Sequence, residues 1–72
     1  MITVKLFAYY REGRGMEVIV DETKYPTPKD VLTHLELPQV VGILLVNGFH
    51  KEYDYPLQDG DVLSLFPSVA GG

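Results

Sequence analysis

Only one stretch of this chain carries the marks of a helix start, and that scarcity restricts the fold more than any other feature. Thr27-Pro28-Lys29-Asp30 supplies a Thr whose hydroxyl can cap free amides, a Pro at the first helical position with φ already set, and an acid three residues after the cap. Val31, Leu32 and Leu35 then fall on a single apolar stripe, and Leu37-Pro38 closes the segment. A helix this short has little stability of its own. It must dock its stripe on something larger, with Leu35 the expected anchor.

The remaining apolar segments read as strands. Ile2, Val4, Leu6 and Ala8 alternate with Thr3, Lys5, Phe7 and Tyr9, a period of two that marks a strand with one buried face. Arg11-Glu12-Gly13-Arg14-Gly15 interrupts it, and the alternation resumes at Met16, Val18 and Val20, which predicts an antiparallel hairpin. Gly42 to Val46 is a continuous apolar run, suited to a strand covered at least partly on both faces. Asn47-Gly48 is a strong hairpin signal, with Phe49 to Tyr53 expected as the return strand. Asp59-Gly60-Asp61 makes a further tight turn with positive φ at the glycine. Val62 to Phe66 completes the set, with Leu63 and Leu65 facing the core and Val62, Ser64 and Phe66 facing away.

With one helix available, a doubly wound sheet is excluded, and the order fits an α+β domain with a short helix across one face of a mixed sheet. The 72 residues make one domain, near the lower size limit for a single core. The chain has no cysteine, so it has neither disulfide nor thiolate nucleophile. A formal charge of −4 argues against nucleic acid, whose phosphates need a basic face, and favours a basic protein partner. Strand-like sequence follows Met1 directly and no apolar run reaches membrane-spanning length, so cytoplasmic residence is the expectation.

The last residues, Phe66-Pro67-Ser68-Val69-Ala70-Gly71-Gly72, leave the final strand and run through two glycines to a carboxylate. Without Cβ atoms, a Gly-Gly end enters slots too narrow for other residues. That suits a terminus presented to an active site. Residues 67–72 are therefore expected as a flexible functional tail, with Phe66 beside it as a partner contact.

Leu45-Val46-Asn47-Gly48, Leu57-Gln58-Asp59-Gly60-Asp61-Val62 and the Phe66–Gly72 end closely resemble the MoaD/ThiS family of ubiquitin-like sulfur carriers. Phe7-Ala8 with Arg11-Glu12 resembles the first strand and following segment of its molybdopterin-synthase small-subunit branch. The resemblance implies a β-grasp fold and a carrier rather than an enzyme. It also implies that Gly72 is the site of ATP-dependent adenylation and conversion to a thiocarboxylate, with Gly71, Ala70 and Val69 threading into a partner and Phe66, Pro67 and Ser68 touching it. The implied partners are an adenylating enzyme of the ubiquitin-activating type (MoeB/ThiF-like), a sulfur donor and a molybdopterin-synthase large subunit (MoaE-like). ATP and magnesium would belong to the activating enzyme, since no P-loop occurs here. Ser68 replaces a proline usual in the molybdopterin branch, and the segment between the first two strands is shortened, as in the thiazole branch. A thiazole-pathway carrier, a ubiquitin-like modifier joined through Gly72 to lysines, and a bare interaction domain are the alternatives.

Other polar residues receive plainer readings. His34 and His50 lack a second ligand at metal spacing. Glu52, Asp54, Asp59 and Asp61 read as a solvated acidic face, and Tyr9 and Tyr10 as packing at a sheet edge.

Overall fold

Alternation in the first strand, β1 (Ile2–Leu6), sends Ile2, Val4 and Leu6 to one side, where all three are fully buried, and leaves Thr3 and Lys5 on the other. The structure is a computed structural model describing residues 1–68. β1 pairs antiparallel with β2 (Glu17–Val20), bringing Ile2 beside Val20 and Val4 beside Val18. After α1 (Pro28–His34) come β3 (Ile43–Val46), β4 (Phe49–His50) and β5 (Val62–Phe66). The sheet order is β2-β1-β5-β3-β4, with β5 parallel to β1 and antiparallel to β3. The last strand is thus central, and its Leu63 and Leu65 are completely buried between Val4 and Leu6 on one side and Val46 and Leu44 on the other.

The helix forms as its sequence predicts. Thr27 Oγ1 accepts from the Asp30 N–H, and Asp30 Oδ2 accepts from the Thr27 N–H, the reciprocal box that satisfies amides left over at a helix start. Val31 and Leu32 are fully buried against the sheet, but Leu35 is only half-buried and packs at the margin of the core. The anchor of the helix is therefore Leu32 together with Val31. The helix ends one turn before Pro38: the Leu37 N–H donates to Leu32 O at 2.9 Å and the Glu36 N–H to Thr33 O at 3.1 Å. Glu36 adopts φ 58 to close this Schellman motif, and the Arg14 guanidinium donates to the Leu35 and Glu36 carbonyls beyond it.

Three expectations from the sequence change. β1 stops at Leu6, because Ala8 turns at φ 54 into a 3-10 helix over Ala8–Arg11. Tyr9 and Tyr10 consequently lie outside the sheet: Tyr10 is buried in the core and Tyr9 is 57% exposed against its ring edge. β3 is covered fully on one face, through Leu44 and Val46, and partly on the other, where Leu45 is half-buried and Ile43 exposed, as its apolar run predicts. β4 ends at His50 rather than Tyr53. The chain turns there to reach the helix start, where Tyr53 O accepts from the Lys29 N–H at 3.0 Å and the Tyr53 hydroxyl accepts from the Val41 N–H at 3.0 Å.

Candidate functional site

Strand parity decides what surrounds the point where the chain leaves the sheet. Phe66 is the last residue of β5, opposite in parity to Leu65, so its ring lies on the face away from the core cluster. Phe7, one residue past β1, carries the same parity, and the parallel pairing of β1 with β5 brings the two rings side by side. They stack with centroids 4.1 Å apart and planes 10° from parallel. Ala8, in its left-handed turn, leads into the short helix that brings Arg11 back over the Phe7 ring. The guanidinium stands 5.4 Å from the Phe7 ring centroid, and its Nε donates to Leu6 O at 2.8 Å. Beside Phe7 lies a shallow depression of about 190 Å³, bounded by Lys5, Arg11, Met16 and Glu17.

From Phe66 the chain continues into Pro67, which is buried, and Ser68, which is exposed. Val69, Ala70, Gly71 and Gly72 lie outside the described residues. Gly42, just before β3, runs alongside: its N–H donates to Phe66 O at 2.8 Å, and a Cβ on it would meet Pro67 O at 2.7 Å. The end of β5 thus combines two stacked rings, a cation over one of them and a backbone passing close by. Apolar and cationic surface of this kind can bind and orient a partner.

At the other end of β5 the chemistry is polar. Asn47 has φ 53 and Gly48 φ 87, the pair of positive values that a two-residue hairpin turn needs. Asn47 Oδ1 accepts from the Val62 N–H and its Nδ2 donates to Asp61 Oδ1, both at 2.9 Å. Asp61 Oδ2 accepts from the Gln58 N–H at 2.9 Å. The Met1 ammonium donates to Asp59 Oδ1 at 2.7 Å and also pairs with the half-buried Glu22 carboxylate. These bonds hold the ammonium pKa up at about 10 and the Asp59 carboxyl below the usual carboxylate range. Asp61 therefore ties the turn together and Asp59 pairs with Met1, while Asp59, Glu52 and Asp54 are all exposed as the sequence suggests.

The histidines stand apart from both ends. His34 stacks on Tyr25 with centroids 4.1 Å apart, and His50 is exposed at the edge. Among the described residues no three His, Asp or Glu side chains gather as a metal site, and no helix is long and apolar enough to cross a membrane.

A mixed five-stranded sheet with β5 central and one helix packed against it defines the ubiquitin-like β-grasp fold. SAMP1 from Haloferax volcanii matches with a TM-score of 0.76 at 29% identity, over 99% of this chain and 98% of that one. The complex of subunits 1 and 2 of molybdopterin-converting factor from Helicobacter pylori 26695 contains the same fold, with a TM-score of 0.64 at 23% identity over 99% and 97% of the two chains. The ThiS family model matches residues 4–72. The molybdopterin synthase sulfur carrier subunit of Escherichia coli (strain K12) is 35% identical over 81 residues, covering all of both chains. The chain belongs to the ThiS family.

Sequence reasoning singled out Phe66, Pro67 and Ser68; the structure stacks Phe66 on Phe7, beside Arg11, and lays the Pro67 and Ser68 backbone against Gly42. It missed Gly42. The only local signal there was a glycine at the head of an apolar run, which marks a close backbone approach without saying to what.

Proposed function

We propose that this protein is a cytoplasmic sulfur carrier of the molybdopterin-synthase type, acting as a co-substrate rather than an enzyme. The observation that carries the reading is the full-length match to the E. coli carrier subunit, with the family match running through Gly72. The geometry at the end of β5 supports it: a fixed root, flanked by Phe7, Arg11 and Phe66, leads directly into Val69, Ala70, Gly71 and Gly72.

A terminal carboxylate has a pKa of about 3.3 to 3.7 and is ionised in the cell, so nucleophiles do not attack it unaided. Adenylation by a ubiquitin-activating-type enzyme, which holds the ATP and magnesium, would provide the leaving group on Gly72. The outer sulfur of a persulfide donor would then displace AMP to form an acyl disulfide, and attack of a second thiol of the sulfur-transfer machinery on the donor's inner sulfur would break the S–S bond, leaving a thiocarboxylate on Gly72 and a disulfide on the donor. In this way a chain without cysteine can carry sulfur. Val69 to Gly71 would thread into the active site of a large subunit, while Phe66, Pro67 and Ser68 make the docking contact outside it.

The test is chemical. Incubation with ATP, a MoeB-like adenylating enzyme and a sulfur donor is expected to add the mass difference of sulfur for oxygen to the C-terminal peptide, and a MoaE-like subunit is then expected to pass that sulfur to a pterin precursor. Deleting Gly72, or adding one residue after it, is expected to abolish the change with folding intact. A residue's length of about 3.3 to 3.6 Å far exceeds the roughly 1 Å misplacement that costs about 100-fold. Absence of the thiocarboxylate on the intact chain overturns the reading; transfer to a thiazole precursor or to protein lysines would redirect it.

A further inference from the structure

Gly13, Gly15, Gly48 and Gly60 have positive φ and open space where a Cβ would sit, so each serves a turn. Gly42 is the reverse. Its φ lies outside the left-handed range, yet a Cβ would fall 2.7 Å from Pro67 O and 2.8 Å from both Ser68 N and Ser68 Cα. All three atoms are backbone, so no side-chain rotation can relieve the contact. What this position requires is room rather than conformational freedom.

From this we infer that Gly42 is a positioning residue for the tail: the missing side chain lets the chain at 41–42 lie flush against Pro67 and Ser68 and so sets the direction in which the tail leaves the sheet. The consequence for activity rests on the sulfur-carrier reading; the geometric part does not. Phe66 O is fixed by the Gly42 N–H, its ring is fixed by Phe7, and Pro67 is buried, so the root is held from several sides. A methyl group at Gly42 needs carbon neighbours at about 3.5 Å or more, which displaces the Ser68 backbone by roughly 0.7 Å. Gly72 is the fourth residue after Ser68, a reach of at most about 14 Å. A partner that grips the sheet face and the terminus together has little slack in so short a connection. Misplacement on this scale therefore lowers turnover more than docking.

The experiment compares Gly42→Ala with the unaltered protein and with Val20→Ala, which removes buried volume from β2 at the far side of the sheet. Pyrophosphate release by the adenylating enzyme gives kcat and KM for each carrier, and amide spectra report Phe66 and Ser68 directly. Gly42→Ala is expected to remain folded, to shift the Phe66 and Ser68 amides, and to lose about tenfold or more in kcat with KM within about twofold. Val20→Ala is expected to keep both constants below its melting temperature. Unchanged Phe66 and Ser68 amides in Gly42→Ala, unchanged kcat, an equal loss in Val20→Ala, or failure of Gly42→Ala to fold each overturns the inference. If the unaltered protein is not adenylated, the sulfur-carrier reading fails, and the amide shifts alone decide whether Gly42 positions the root.

Discussion

The two ends of β5 are built from different chemistry. At its upstream end, Asn47, Asp61, Gln58 and Thr3 exchange hydrogen bonds around the first residue of the strand, and every group named there finds its partner within the chain. At its downstream end the side chains are Phe7, Phe66 and Arg11, with ring faces and a guanidinium left partly open on the surface. One end spends its polar groups on itself. The other keeps apolar and cationic surface facing outward beside the tail. In a domain of 72 residues with little core to spare, such a division lets the upstream end fix the strand while the downstream end leaves apolar and cationic surface uncovered.

Substitutions can break this comparison or sharpen it. The largest effect is expected from Leu32→Ala, which removes a fully buried side chain that serves both ends through the common core. It should cost about 2 to 5 kcal/mol in denaturant melts, and Leu35→Ala should cost clearly less because Leu35 is only half-buried. Equal losses would mean that the helix docks through its margin.

Phe66→Asp separates function from stability at the downstream end. Replacing an apolar contact with a charge that must be desolvated should weaken binding to a large subunit or adenylating enzyme by about 30-fold, roughly 2 kcal/mol, while circular dichroism stays close to that of the unaltered protein. A collapsed fold would instead make the Phe7–Phe66 stack a structural element, and the contrast between the ends would disappear.

Asn47→Asp addresses the upstream end. It replaces the amide that donates to Asp61 with a second carboxylate at hydrogen-bond distance, and should cost about 1 to 2 kcal/mol of stability near neutral pH. Adenylation of the folded fraction should be unaffected. A change in kcat would show that the polar end also acts on the tail.

The smallest effect expected is on pH dependence. The Met1 ammonium is raised from 8.0 to about 10 by its bonds to Asp59 and Glu22, so the stability it contributes is fully present below about pH 8 and lost as pH rises through about 10. Asp59 is lowered by the same bond, so its contribution is present above its ordinary value and lost as pH falls through the depressed one. Thermal melts should show a shallow decline between pH 8 and 10 that Asp59→Asn largely flattens. A slope of unchanged size in Asp59→Asn would assign the decline to other groups.

Much of the architecture was legible before folding because it rests on short-range sterics. The cap at Thr27 and Asp30, the hairpin at Asn47-Gly48, the turn at Gly60 and the inward parity of Leu63 and Leu65 all depend on neighbours within a few residues. β1 was drawn too long because the alternation runs on through Ala8, whose left-handed backbone at φ 54 no period of two reveals. β4 was drawn too long because the hydrogen bonds of Tyr53 go to Lys29 and Val41, distant in sequence.

By itself, the sequence determined the capped helix and the tight turns, each a local consequence of backbone conformation or of a missing Cβ. Tertiary structure decided which pieces meet. Parallel pairing of β1 with β5 brings Phe7 onto Phe66, and antiparallel pairing of β3 with β5 brings Asn47 to Asp61 and Gly42 to Pro67. Residues far apart along the chain become neighbours only when the strand order is chosen. That choice depends on burying one face of every strand in the same core, a property of the whole chain that no short window of it contains.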